Sequence, residues 1–582
     1  MPNHKRWQIA PLITPQANES LAAFPPILRQ LLFNRGYATD AEARAFLRGQ
    51  TYFDPNPFLM TGMEPAVARI RKAIDDHELI AVYGDYDVDG VTATALLVQV
   101  LQFLGGKAEP KIPNRFEEGY GLNLESLSSL KEKGISLVIS VDCGIRSPAE
   151  ALHAQDIGLD LIISDHHQPA EGALPSAYAV INPKQENDQY PDKDLAGVGV
   201  AYKIAQALIA DERWVNDRLG VNEFRVTAAE FLENTLDLVA LGTVADLAPL
   251  IGENRSLVRK GLQRIRSTKR QGLFSLANVA DLAIARTTAT NIGFILGPRL
   301  NAAGRLESAL AAYELLTTND VFRAGELAQQ LNLQNRQRQE ITRKIQEEAE
   351  EIALAVDPKC DLLFAVHPDF NSGVVGLAAA RLVETYYRPA IVGQISDGTT
   401  RCSCRSIPEF HITQALDQCK DLLVRHGGHA AAAGFTVLNE NLPILEDRLR
   451  AIVAQQLGGL DLRQTLNADI EVPLDNLKPE LLKHLDYFQP TGYGNPEAVF
   501  ISRNVRISSS RTVGMDGRHL KLVVTDGHVT FDGIGFRMGF LQPNLPPRVD
   551  LVYTFEANEF NGRTSMQLNL KDARPTGYIE GS

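Results

Sequence analysis

Three short runs of unbroken apolar sequence, each followed at once by acidic or imidazole side chains, constrain the fold of this chain more than any other feature. They are Leu79-Ile80-Ala81-Val82-Tyr83, Ser136-Leu137-Val138-Ile139-Ser140-Val141 and Leu159-Asp160-Leu161-Ile162-Ile163-Ser164. Such runs lack polar alternation, as expected of parallel strands covered on both faces. Helix-like sequence separates them, for example Gly90 to Leu104. The pattern predicts a doubly wound α/β sheet. Ligands of such sheets gather beyond the carboxyl ends of the strands. There the sequence places Asp85, Asp87 and Asp89 after the first run, Asp142 after the second, and Asp165-His166-His167 after the third.

So many like charges do not stay ionised side by side without a cation. An oxygen-rich set with one or two imidazoles and no thiolate suits Mg²⁺ or Mn²⁺ better than structural zinc. Two such ions ~3.5–4 Å apart would activate a water and steady the leaving oxygen of a phosphodiester. A single Asp after a strand commonly caps the next helix. Three successive strand ends and a His pair exceed what capping requires.

A chain of 582 residues is too long for one core. Residues 1–75 read as a helical segment, 76–318 as the first α/β domain, and 319–356 as a long polar connecting helix. The middle of that helix, Asn335-Arg336-Gln337-Arg338-Gln339-Glu340, has no apolar stripe, as in helices that bridge domains. Residues 357–460 read as a second α/β domain opening on the strand Leu362-Leu363-Phe364-Ala365-Val366. Residues 461–497, with Pro473, Pro479, Pro490 and Pro496, suggest a semi-rigid linker. From 498 to 582, short strands with turns at Asp516-Gly517, Asp526-Gly527 and Asn561-Gly562 predict a small antiparallel β-barrel, OB-like, a frequent binder of single strands.

The net charge of −13 taken alone argues against a nucleic-acid partner. Its distribution matters more, and clustered carboxylates account for part of it. Five cysteines without zinc-type spacing fit a reducing cytoplasm. Cys402 and Cys404 read as neighbours on one strand face. There is no apolar run of membrane-spanning length, and Met1 to Trp7 lacks a signal-peptide core.

Asp165-His166-His167 resembles the signature of the DHH superfamily of phosphoesterases, and Asp85-Tyr86-Asp87-Val88-Asp89-Gly90 resembles its first motif. The segments 112–121, 195–201, 241–246, 298–305 (Pro-Arg-Leu-Asn-Ala-Ala-Gly-Arg) and 427–434 (Gly-Gly-His-Ala-Ala-Ala-Ala-Gly) are similar to the RecJ family within it. The resemblance implies a DHH catalytic domain, a DHHA1 substrate domain and a metal-dependent exonuclease. That enzyme would degrade single-stranded DNA from 5′ to 3′ in DNA repair and recombination, with a helicase and a single-stranded-DNA-binding protein as candidate partners. The cysteines and hydropathy place it in the cytoplasm off the membrane, and a monomer is the default expectation. It also implies two divalent cations, Mn²⁺ or Mg²⁺, held by Asp87, Asp89, Asp142, His166 and Asp246. Asp142 and Asp246 would bridge them, and His167 would support the site or donate to phosphate.

Two departures stand out. Relatives that hydrolyse pyrophosphate carry a His where this chain has Tyr83, so Asp85 becomes the candidate substitute. The family's Trp-His is here Phe370-Asn371, leaving Asn371 to bond phosphate or sugar. By the resemblance His429, beside Gly428, would meet a phosphate or the 5′ end, with Arg405 and Ser406 nearby. Arg115, Tyr120, Arg299, Asn301, Arg305 and Arg336 are candidates for strand contact, through guanidinium forks and base stacking. Two other functions compete: a phosphohydrolase of short oligonucleotides or pyrophosphate, and a DNA-binding scaffold without catalysis.

Overall fold

The first apolar run forms β1 (Leu79–Gly84), which leads into α1 (Val88–Phe103). The turn between them is fixed by Asp87, whose carboxylate caps α1 by accepting from the N–H groups of Asp89 and Gly90. In the computed structural model, which describes residues 5–49, 55–115, 118–170, 172–219, 226–560 and 563–578, β1 is the second strand of a five-stranded parallel sheet. With β2 (Lys107–Lys111), β3 (Ile135–Val141), β4 (Asp160–Ser164) and β5 (Ala179–Ile181), the order is β2-β1-β3-β4-β5. The three apolar runs are β1, β3 and β4, and nearly all their side chains are buried. Helices α2 (Gly197–Ile209) and α3 (Leu236–Ala245) pack beside the buried α1.

Two glycines allow that packing. A Cβ on Gly197 would lie 2.6 Å from Cβ of Asp142, and one on Gly242 would lie 2.8 Å from Oδ1 of Asp89. Any side chain there would displace a carboxylate of the cluster.

Helix α4 (Gly297–Leu306) precedes α5 (Val321–Val356), a single rod of 36 residues, ~54 Å long at 1.5 Å per residue. Asp320 caps its start through the N–H groups of Phe322 and Arg323. Leu327 and Leu331 are buried at one end and Ile345, Ala349 and Ala353 at the other. Between them the buried positions are polar, Gln334, Asn335 and Thr342, while Arg336, Gln337, Gln339 and Glu340 are exposed, so the polar middle read from the sequence is solvated on one side.

The second α/β domain joins β6 (Leu363–His367), α6 (Val375–Tyr386), β7 (Ala390–Ile395), β8 (Thr399–Arg405), β9 (Leu423–Gly428) and β10 (Ala432–Leu438). Its sheet order is β9-β10-β8-β7-β6, with only β6 and β7 parallel. Both α/β domains and α5 lie in one unit, residues 57–246 and 261–462.

The other unit gathers residues 1–56, 247–260 and 463–582. Its barrel comprises β11 (Val499–Val513), β12 (His519–Thr525), β13 (Thr530–Gly535), β14 (Arg548–Phe560) and β15 (Arg563–Pro575). The order β11-β12-β13-β15-β14 closes by pairing β14 with β11. The barrel differs from an all-antiparallel one, because β13 and β15 pair in parallel.

Residues 461–497 differ from a spacer. The strand Ile470–Glu471 pairs with β11, and Val472, Leu474, Leu477, Leu481 and Phe488 enter the barrel's core. Proline spacing suggested stiffness, but the apolar residues between the prolines find burial. The first 75 residues are likewise not helical throughout. Arg6–Ile9 is a strand beside Thr465–Ala468, and Leu28, Leu31, Leu32 and Phe46 join the barrel's core. The helix Met63–Asp75 lies in the first unit instead. Met1 to His4, Phe116, Glu117 and the Asn561-Gly562 turn fall outside the described residues.

Candidate metal centre and phosphate cleft

The strand ends bring the expected carboxylates together. Nε2 of His166 lies 3.1 Å from Oδ1 of Asp142 and 3.8 Å from Oδ2 of both Asp89 and Asp246. Three sets of ligand atoms cluster within 4.8 Å: Asp85, Asp87 and Asp142; Asp89, His166 and Asp246; Asp142, His166 and His167. Asp142 itself adopts φ 62°, a left-handed backbone that costs a non-glycine residue energy and recurs at functional positions. Asp89 is locked by the N–H groups of Gly197 and Val198, at 2.7 and 2.8 Å.

The donor set fits cations. Oδ1 of Asp85, Oδ1 of Asp142 and Nε2 of His166 are buried without a hydrogen-bond partner, a costly state for polar atoms. Burial, then the charge of Asp87, lifts Asp89 to about 7; burial, then Asp89 and Asp87, lifts Asp246 to about 9. Burial and the surrounding carboxylates raise Asp85 and Asp142 well above the carboxylate range. Burial, then the neighbouring His167, drops His166 to about 3, leaving a neutral imidazole suited to ligation.

Asp165 belongs to a different class. Its Oδ1 accepts from the backbone of His166 and from Nδ1 of His167, the latter at 2.8 Å, and its Oδ2 accepts from Ile145. Burial opposes its charge, yet the His167 hydrogen bond and the two imidazoles hold the carboxyl below its ordinary value. Asp165 thus orients His167. Tyr83 is buried and donates to the carbonyl of Gly121 at 3.1 Å, so it anchors the 112–121 loop. Asp85 takes a place beside Asp87 that Tyr83 does not.

Cationic side chains border the carboxylates. Arg115 stacks 4.9 Å over the ring of Tyr86, and the hydroxyl of Tyr120 lies 3.4 Å from Nδ1 of His167. Arg305 donates to the carbonyl of Gly373, and burial, then Arg115 and Arg338, lowers it to about 10. Burial also lowers Arg405, which stands beside Gly376. A cavity of about 570 Å³ opens here, bounded by Tyr86, Arg115 and Tyr120 on one side and by β8, β9 and β10 on the other.

Several expected strand contacts are engaged elsewhere. Asn301 accepts from the N–H of Val88 and so steadies the Asp85–Asp89 turn. Arg299 holds Asn332 and the carbonyl of Ile295. Asn371 accepts from Gly373 N–H, and Ser406 donates to the carbonyl of Phe410. Arg336 is exposed on α5, and His429 is exposed next to Gly428 in the β9–β10 turn. Sequence reasoning missed Glu118, Arg401, Ser403, Arg425, His426 and Thr436, which also line the cavity. The alternation of polar 401, 403 and 405 with buried Cys402 and Cys404 carried the signal for two of them.

Residues 79–243 match the DHH family, N-terminal domain, residues 360–456 the DHHA1 domain, and residues 468–572 the RecJ OB domain. The chain is 38% identical to the single-stranded-DNA-specific exonuclease RecJ of Bacillus subtilis, over 94% of this chain and 68% of that one. It is 38% identical to the enzyme of the same name from Dickeya dadantii, over 95% and 96% of the two chains. Its structure is similar to Thermus thermophilus RecJ in complex with Mn²⁺, with a TM-score of 0.83 and 30% identity over 100% of this chain and 81% of that one. The Mg²⁺ complex of that protein matches with a TM-score of 0.76 and 28% identity, over 99% and 79% of the two chains. The chain belongs to the RecJ family of single-stranded-DNA-specific exonucleases.

Proposed function

We propose that the chain hydrolyses single-stranded DNA from its 5′ end, releasing mononucleotides. The observation that carries this reading is a cleft in which clustered carboxylates and imidazoles lie beside the guanidinium groups of Arg115 and Arg305 and face the sheet that bears Arg405. Asp87, Asp89, Asp142, His166 and Asp246 would hold two divalent cations, with Asp85 beside Asp87. When bound, the pair supplies Lewis acidity toward the attacking water and the scissile phosphate.

The protein's own groups do the rest. Burial opposes the charge of His167, but the hydrogen bond from its Nδ1 to Asp165 and the charge of that carboxylate raise its pKa, and the protonated ring then donates from Nε2 to a phosphate oxygen. Arg115, Arg305 and Arg405 grip phosphates, and Ser403 with Arg115 receives the terminal one. Tyr120, 55% exposed, offers a ring for base stacking. The barrel is a second surface for the strand. The same reading includes a helicase that supplies single strands, a binding protein that covers them, and the cytoplasm as the place of action. No helix among the described residues is long and apolar enough to cross a membrane.

Digestion of 5′- and 3′-labelled single strands, duplex and RNA with Mn²⁺ tests the proposal. Labelled mononucleotide should appear first from the 5′-labelled single strand, and Asp142→Asn should lower kcat by ~10³-fold or more with its circular dichroism unchanged. Release from the 3′ label first, or near-parental turnover by Asp142→Asn, would refute it.

A further inference from the structure

The face of the second sheet that looks onto the cavity carries a lane that the reading above does not use. On β8 the alternate residues Arg401, Ser403 and Arg405 share this face, while Thr400, Cys402 and Cys404 enter the core. On β10 the partners of Ser403 and Arg401 are Gly434 and Thr436. On β9 the partners of those are Gly427 and Arg425. The sheet therefore presents two rows side by side. One is Ser403-Gly434-Gly427, a floor nearly free of side chains; a Cβ on Gly427 would meet nothing within 4 Å. The other is Arg401-Thr436-Arg425, two guanidinium groups flanking a hydroxyl.

Neither Arg401 nor Arg425 meets a carboxylate within 4 Å among the described residues, and both are exposed. Nε of Arg425 donates to Oγ1 of Thr436 at 3.3 Å. The carboxylate on the cavity wall, Glu118, is already taken by Lys111 Nζ, Ser126 Oγ and the N–H of Asn114. Alternate residues of a strand stand ~7 Å apart and neighbouring strands ~4.8 Å. The second row thus lies ~7 Å beyond Ser403, away from Arg405. It holds no exposed aromatic ring on which a base would stack, which favours an anion over a further nucleotide.

Resting on the exonuclease reading, we propose that Arg401, Thr436 and Arg425 form a subsite for the outer phosphates of a 5′-triphosphorylated strand. The innermost phosphate then lies at Ser403 and Arg115, and the outer two extend over the glycine floor to the arginines. The chemistry is unchanged. Water attacks the phosphorus between the first and second nucleotides, the P–O3′ bond breaks, and the 3′ oxygen leaves with a proton. The products are a nucleoside 5′-triphosphate and a strand bearing a 5′-monophosphate.

The test compares single-stranded oligodeoxynucleotides that differ only in their 5′ end, as monophosphate or triphosphate, with the full chain and Mn²⁺. The parent should process the triphosphate end with kcat/KM within ~3-fold of the monophosphate end, releasing nucleoside triphosphate as first product. Arg401→Gln/Arg425→Gln should lower the triphosphate-to-monophosphate ratio at least tenfold. Thr436→Val, which keeps both charges, should lower it less. A parent ratio below ~0.1, an unchanged ratio in the double variant, or a dinucleotide as first product overturns the subsite. Failure of the parent on the monophosphorylated strand overturns the exonuclease reading itself.

Discussion

Asp246 carries opposed demands at a single carboxyl group. Burial, with the charges of Asp89 and Asp87, raises it to about 9, far above the ~3.9 of an unfolded aspartate. Between those values the folded state binds the extra proton, so stability falls as pH rises from ~4 toward 9. Cations relieve that repulsion, and their affinity should rise over the same window as protons are displaced. Asp246→Asn is therefore expected to stabilise the cation-free protein at pH 8 by ~1 kcal/mol or more. It should also lower Mn²⁺ affinity and turnover at least ~100-fold. Melting curves in chelator, with calorimetric Mn²⁺ titration, check both, and a lower melting point than the parent's would contradict the first. Glu118 acts at one remove. Burial opposes its charge, but Lys111, Ser126 and Asn114 hold it at about 2, and it ties together the loop that bears Arg115 and Tyr120. Glu118→Gln should raise KM for single strands ~3- to 10-fold with a smaller change in kcat. An equal fall of kcat and kcat/KM would place Glu118 in the chemical step instead.

Helix α5 is the element that spans both α/β domains, and its middle is poorly suited to tolerate a break. Gln337 is exposed, so Gln337→Pro removes no core side chain. It costs ~3 kcal/mol of helix and introduces a kink. The expected outcome is Mn²⁺ binding close to the parent's with strand cleavage reduced at least tenfold, because Arg305 and Gly373 lose their register. Loss of Mn²⁺ binding as well would mean that α5 supports the metal centre directly. This element also marks how far the sequence could be read. Asp85 to Asp89, Asp142 and Asp165 to His167 were legible because each follows a buried strand within a few positions, whereas Asp246, at the end of helix α3, came from the resemblance alone. The cavity wall was not, because it depends on β8, β10 and β9 pairing across dozens of residues, and register between distant strands leaves no local trace. Asn301, Asn371 and Ser406 looked available for substrate as polar residues, Asn301 inside a segment similar to the RecJ family and Asn371 where that family has His. Their partners are backbone groups close in space, which a sequence does not display. The parallel pairing of β13 with β15 was hidden for the same reason.

At the scale of the whole molecule, the barrel unit is assembled from three separate stretches of chain. Leu31, Leu32 and Phe46 share one core with Leu520, Leu551 and Leu568. A chain cut at residue 460 would therefore strand the apolar faces of its first 56 residues, at ~25 cal/mol per Å² exposed. A protein of residues 1–460 is expected to be less soluble than one of residues 57–460, although it is longer. Equal recovery and equal protease resistance of the two would argue against a shared core. The interleaving also sets a clock. During synthesis the first 56 residues emerge, and their core partners begin some 400 residues later, ~20–80 s at 5–20 residues per second. For that interval the ribosome displays amphipathic helices that have no lawful place to dock, while both nuclease domains can already close. Residues 1–56 then become native only together with the barrel made long after them, and until that moment their apolar faces stay open to other chains.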